Sequence, residues 1–206
     1  MILKELDPFR GGPAELADRM AADKLAYHLR RHFRRSQDVD VLHGVRVRSG
    51  PSMAEMDHLV LHGHGLVAVL RDRHAGRLRV DDEGRWLHGG AQGWEPITSP
   101  ITHAYVQALL LKSLMDRRVQ QRGYFDQIEI DVLVVLDDDC ELEGDHVEVL
   151  AEVCRREQVG DRIEERRLQC ARNARRPAPL SETERRTLAE FIQVVHQPAA
   201  AAGPAA

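Results

Sequence analysis

Three carboxylates stand at the matching ends of two apolar runs. Glu55 and Asp57 lead into Leu59-Val60-Leu61, and Asp72 closes the run from Leu66 to Leu70, with His62-Gly63-His64-Gly65 between them. Two apolar runs joined by a glycine-rich turn read as a β-hairpin. A turn centred between Gly63 and His64 pairs Leu61 with Leu66, Asp57 with Leu70 and Glu55 with Asp72. Alternation along the strands then puts Glu55, Asp57, Leu59, Leu61, Leu66, Ala68, Leu70 and Asp72 on one face. That face is apolar near the turn and acidic at its open end. Carboxylates brought together from two strands are the oxygen donors that a divalent cation takes. The competing reading is a set of solvated acids paired with Arg46, Arg48 or Arg73.

The remaining polar clusters each have a plainer reading beside the chemical one. His58 and His62 share the other face of the hairpin, two pleats apart, which is too far for one zinc ion. His64 sits in the turn. Asp137-Asp138-Asp139 lacks the alternating spacing and glycine of a calcium loop and reads as a solvated loop. Arg30, Arg31, His32, Arg34 and Arg35 end a helical stretch, where cations complement the helix dipole; the same cluster is a candidate phosphate-contacting patch, together with the arginines from Arg71 to Arg79. His103 reads as a polar residue on a helix face. Trp86 and Trp94 read as core and loop anchors rather than base-stacking platforms.

The elements that must position these groups follow in chain order. Gly12-Pro13 opens a helix whose apolar stripe is Ala17, Ala21, Leu25, Leu29 and Phe33, widened by Leu16, Met20 and Ala26. Val39, Val41, Val45 and Val47 alternate as one or two short strands, and the hairpin follows the loop at Gly50-Pro51. Leu78 to Leu87 makes a second hairpin, so the region reads as a meander of four antiparallel strands. Gly89 to Pro96 reads as a loop. Ser99 caps a helix with Pro100 at its first position, and Ile128 to Leu136 reads as a strand buried on both faces. Asp137 to Asp145 reads as an acidic loop, and Val147 to Val153 as a strand or short helix. Arg155 to Arg176 reads as a solvated helix. Ser181 and Glu184 form a capping box for a last helix, and residues 197–206 form a low-complexity tail. Helices around a meander and one buried strand imply an α/β sandwich on a mixed sheet, a single domain over residues 1–196.

Composition sets the outer limits. A chain of 206 residues with 43% hydrophobic content buries one substantial core, and a net charge of −4 gives no global field toward nucleic acid or membrane. Cys140, Cys154 and Cys170 match no metal-ligand spacing and cannot all pair, which fits a reducing cytoplasm. No apolar run approaches about 20 residues, so no membrane span is expected.

From Met56-Asp57-His58 through the turn and strand at Gly65 to Val69, Gly76 and Trp86, and on to Ser99-Pro100-Ile101-Thr102-His103, the chain resembles the nuclease-related domain (NERD) family. The resemblance runs from about residue 13 to 195 and is most specific between Asp57 and Trp86. It implies a fold similar to the PD-(D/E)XK nucleases, with a central mixed sheet flanked by helices. It also implies a divalent-metal site made of a first-helix glutamate, the aspartate at Asp57 and a Glu-x-Lys on the next strand.

At the catalytic positions the chain departs from that pattern. Glu-x-Lys falls on Leu70-Arg71-Asp72, the family's glutamine falls on His103, and the first-helix glutamate falls on either Ala22 or Glu15. Leu70 offers a metal no oxygen, and Asp72 puts negative charge where a phosphate-facing cation belongs. The resemblance therefore implies a nuclease shape with a decayed centre and no required cofactor. Such a protein would act by binding nucleic acid, through Arg30, Arg31, Arg34, Arg35, Arg71 and Arg73, or by binding a protein partner. The rival is a Mg²⁺-dependent nuclease with a relocated site of Glu55, Asp57 and Asp72, Arg71 or Arg73 supplying positive charge. A scaffold or homo-oligomer subunit with no nucleic-acid role is the third alternative.

Overall fold

A computed structural model describes residues 1–90, 93–118, 123–144, 150–173 and 178–198. The central hairpin forms in the expected register: β3 (Ser52–His62) and β4 (Gly65–Asp72) are antiparallel, with Leu61 opposite Leu66 and His62 opposite Gly65. On the far side of β3 lies β2 (Val39–Ser49), one long strand, and β1 (Ile2–Lys4) runs parallel to β2 at the edge. The other edge of β4 is taken by β8 (Glu129–Leu136), parallel to it, and β10 (Val153–Arg155) follows in parallel. The sheet order is β1-β2-β3-β4-β8-β10, a mixed sheet with the predicted buried strand inside it. Residues 132–136 are all buried, as a strand covered on both faces requires.

The four-stranded meander is corrected. Because β8 occupies the free edge of β4, the chain after Asp72 leaves the central sheet and builds a second one. There β5 (Gly76–Val80) and β6 (Trp86–Gly90) form the second hairpin. The stretch read as a loop contributes β7 (Gly93–Ile97), and the acidic loop contributes β9 (Cys140–Glu143), parallel to β5. Pro96 is tolerated because β7 is an edge strand. In β9, Glu143 is held by Arg77 and Arg79, and these same arginines stack over Trp94.

Among the described residues, four helices cover the central sheet. Helices α1 (Pro13–Phe33) and α3 (Val159–Arg172) lie on one face, over Val39, Val41, Val60, Val67, Val69, Leu133 and Val135. Helices α2 (Pro100–Arg118) and α4 (Glu182–Val195) lie on the other, over Leu59, Leu61, Leu66, Ala68 and Leu70. Ser99 caps α2 through the Thr102 amide, and Ser181 and Glu184 cap α4 reciprocally. The apolar stripe of α1 is buried only from Leu25 onward; Leu16 and Met20 are exposed, because the first turns of the helix overhang the sheet. The charged stretch after Arg155 is a helix as read, but Ile163, Arg166 and Cys170 are buried against the sheet. Residues 147–149 and 199–206, parts of the predicted late strand and tail, lie outside the described residues. No helix among the described residues is long and apolar enough to cross a membrane.

One glycine sets the spacing of the central strands. A Cβ on Gly65 would stand 2.3 Å from the backbone oxygen of Glu129, which pairs with it on β8. Gly65→Ala must push β4 and β8 apart, and the expected cost is about 2 kcal/mol. Urea unfolding should show a lower midpoint at unchanged slope; an unchanged midpoint would mean the strands adjust freely.

Candidate active-site cleft

The open end of the hairpin borders a cleft of about 500 Å³ lined by residues of β2, β3 and β4, by the segment before α2 and by His196 beyond α4. Its wall departs from the simple alternation of the strands. Met56 and Leu59 belong to the same core although they lie three positions apart, and so do Leu42 and Val45 on β2. The slip occurs where Gly44 takes a φ of +62°, in the gap between the His43–His58 and Val45–Met56 pairs. A side chain at φ above zero is strained in any residue with a Cβ, which is why glycine stands there. The slip turns Asp57 away from the Leu59–Leu61 face and toward α1.

Asp57 meets Arg71, the middle residue of Leu70-Arg71-Asp72. The Arg71 backbone amide donates to Asp57 Oδ2 at 2.7 Å, and Arg71 Nε lies 3.4 Å from Asp57 Oδ1. Its other two nitrogens reach different elements: Nη2 donates to Asp18 Oδ1 of α1 at 2.5 Å, and Nη1 lies 3.4 Å from Asp137 Oδ2 beyond β8. The Arg71 side chain is 2% exposed. Burial works against its charge, but Asp57, Asp18 and Asp137 outweigh it and hold the guanidinium above its ordinary pKa. Asp137 itself is pushed above the usual carboxylate range by burial, despite Arg71 and Arg156, so the long contact to Asp137 is the weakest arm. Arg73, 64% exposed, adds a second guanidinium 3.3 Å from Asp18 Oδ1 and 3.7 Å from Asp57 Oδ1.

The predicted acidic trio lines this one cleft but does not converge, which corrects the shared face. Glu55 lies opposite Arg46 on β2 and accepts from its Nε at 2.7 Å, while the Glu55 amide donates to Gln107 of α2. Asp72 stays on the Leu70 side, buried, with Oδ1 2.7 Å from His74 Nδ1. Its Oδ2 is buried and has no hydrogen-bond partner among the described residues. Among the described residues no three histidines, cysteines or acids form a metal-ligand set. The carboxylates that do gather, from Asp18, Asp57 and Asp137, surround a guanidinium. A divalent cation placed among them would face that fixed positive charge, so these residues do not fit a metal.

The predicted arginines separate into two groups. Arg31, Arg34 and Arg35 are exposed near the C-terminal end of α1, beside Arg30, whose Nη1 donates to Glu5 at 2.6 Å. Arg30, Arg31 and Arg34 border a shallow groove with Tyr27. Arg71 is buried and paired inside the protein, with Asp18 on its solvent side; Arg73 is exposed, its guanidinium beside Asp18 and Asp57. His103, Thr98 and Pro100 line the cleft from the α2 side. His196 closes its far wall: the Arg46 amide donates to Nδ1 at 3.1 Å, so Nε2 carries the proton given to Asp7 at 2.9 Å.

His58 and His62, on the other face of the hairpin, are fully buried. His58 pairs with His43 of β2, Nδ1 to Nδ1 at 2.8 Å, and both rings are fully buried. His62 Nδ1 accepts the His64 amide at 3.2 Å. The outer Nε2 atoms of His43, His58 and His62 are buried without a partner among the described residues.

Reasoning from the sequence missed Asp18 and His43. Asp18 stands three residues after Glu15 and four before Ala22, the two positions weighed for the helix acid, and so on the same face of α1 as both. His43 follows from counting β2 back from the turn at Gly50 to its partner His58. Comparison with known proteins gives one match. The sequence model of the nuclease-related domain matches residues 15–137, more than half of the chain. Neither curated proteins nor solved structures supply a match.

Proposed function

The chain belongs to the nuclease-related domain family, and we propose that it is a member whose hydrolytic centre has decayed and which works by binding nucleic acid. The observation that carries this reading is the buried Arg71 guanidinium among Asp18, Asp57 and Asp137. A nuclease of this shape uses its carboxylates to hold a metal that activates water. Here an internal cation stands among the carboxylates in place of a metal, and the strand position that would supply another acid holds Leu70. Exposed cations stand beside it: Arg73 at the cleft, next to the exposed acids Asp18 and Glu55, and Arg31, Arg34 and Arg35 near the end of α1. Glu5, paired with Arg30 beside this groove, leads through Leu6 and Asp7 to the wall of the cleft. These cations suit a phosphate backbone, whose contacts weaken as added salt lowers the entropy gained when binding releases counterions.

Two measurements test it. Calorimetric titration with Mg²⁺ or Mn²⁺ should give no binding heat, and single- and double-stranded DNA and RNA should survive high protein and metal concentrations. Metal-dependent cleavage that Asp57→Ala abolishes would restore the hydrolytic reading, with Glu55 and Asp72 as the next residues to replace. Retention of labelled oligonucleotide should fall steeply with salt. The absence of binding to any nucleic acid would move the reading to a scaffold that engages a protein partner or its own copy.

A further inference from the structure

Asp18 makes an unusual pair of contacts for a half-exposed acid. One of its oxygens, Oδ1, is held by Arg71 Nη2 at 2.5 Å and faces Arg73 Nε at 3.3 Å. The carboxylate is 50% exposed, so it reaches these two guanidinium groups from the solvent side, whereas Asp57 behind them is 12% exposed. Two guanidinium groups closing on one oxyanion is the arrangement that recognises phosphate, because planar N–H forks match its oxygens. Asp18 lies in the early turns of α1, which overhang the sheet without a buried stripe: Leu16 and Met20 beside it are exposed. Little packing therefore holds this part of the helix down.

We propose that Arg71 and Arg73 form a phosphodiester-binding clamp, and that Asp18 fills it in the free protein as an internal competitor. The proposal rests on the reading that the chain binds nucleic acid, and it adds the subsite and its regulation. Charge selects the ligand. Asp57, Asp137 and Asp18 together exceed the two arginines by one negative charge. A phosphodiester carries a single negative charge, so exchanging it for the Asp18 carboxylate leaves that balance unchanged. A phosphate dianion would add a charge next to Asp57. Nucleic-acid binding then releases the first turns of α1 from the cleft, and any change that draws Asp18 away raises affinity.

Asp18→Asn tests the competitor directly. Its affinity for a fluorescein-labelled oligothymidylate should rise about tenfold over wild type at low salt. The gain should vanish when Arg73→Ala is added, and Arg73→Ala alone, which leaves the buried arginine in place, should weaken wild-type binding several-fold. In buffer alkaline enough that inorganic phosphate is almost wholly the dianion, dimethyl phosphate should compete for the Asp18→Asn protein, and inorganic phosphate at matched ionic strength should not. Equal competition by the two would overturn the diester assignment. Unchanged or weaker binding by Asp18→Asn, with wild type still binding, would overturn the competitor while leaving the nucleic-acid reading intact, as would an Arg73→Ala protein that binds like wild type. Loss of oligonucleotide binding in every protein, wild type included, would remove both readings.

Discussion

Arg71→Ala is expected to destabilise the fold by about 3–5 kcal/mol. The side chain is 2% exposed and reaches β3, α1 and the segment after β8 at once. Its loss leaves Asp57, already short of solvent, with no counter-ion among the described residues except the distant Arg73 at 3.7 Å. An exposed ion pair contributes only about 0–1 kcal/mol, so the size of the loss separates a buried hub from a surface contact. Arg71→Lys keeps the charge but not the fork and should lose part of that stability. Adding Asp57→Asn to Arg71→Ala should recover part of it, since the cost is mainly an orphaned charge. Chemical denaturation of the four proteins decides the matter. A loss below about 1 kcal/mol in Arg71→Ala would show that the guanidinium is not the group holding these carboxylates.

That hub explains both what was legible in the sequence and what was not. Element type followed from local patterning: the hairpin turn, the proline-led helices, the Ser181–Glu184 box and the run at residues 132–136 each carry their own signal. Sheet membership did not, because it is a competition between distant segments. The edge of β4 could accept the next hairpin or the strand at 129–136, and only the second is apolar on both faces. The site failed for a related reason. Strict alternation places Glu55, Asp57 and Asp72 together, but one glycine at φ +62° shifts the faces and sends Asp57 toward α1. Asp57 itself was recognisable as the motif aspartate. Arg71, read as an exposed cation, became its buried partner once that shift is included.

The second large effect is on acid stability, and it comes from histidines that the fold keeps neutral. Burial lowers the pKa of His43 to about 4 and that of His62 to about 3, and it pushes His58 well below its ordinary value. In the unfolded chain all three titrate near 6.5. Because the folded values are the lower ones, protons bind the unfolded chain first as pH falls. Stability is complete above about pH 6.5, drains below it, and for His43 and His62 levels off only near their folded values. At pH 5 each of these two has cost about 2 kcal/mol, and His58 adds loss of the same sign. A domain typically holds about 5–15 kcal/mol in all, so the melting temperature should drop steeply between pH 7 and pH 5. The carboxylate window lies lower: Asp7, held down by Lys4 and His196 against the opposing effect of burial, loses its contribution only as pH falls below its ordinary 3.8. His43→Leu alone strands the His58 Nδ1 and should cost about 1–3 kcal/mol at pH 7.5. The double change His43→Leu with His58→Leu removes donor and acceptor together, so at that pH it should be close to neutral. Below pH 6.5 the double variant should lose stability less steeply than wild type, the remaining slope coming from His62. Parallel pH curves for the two proteins would mean that the buried pair already carries its proton in the folded state.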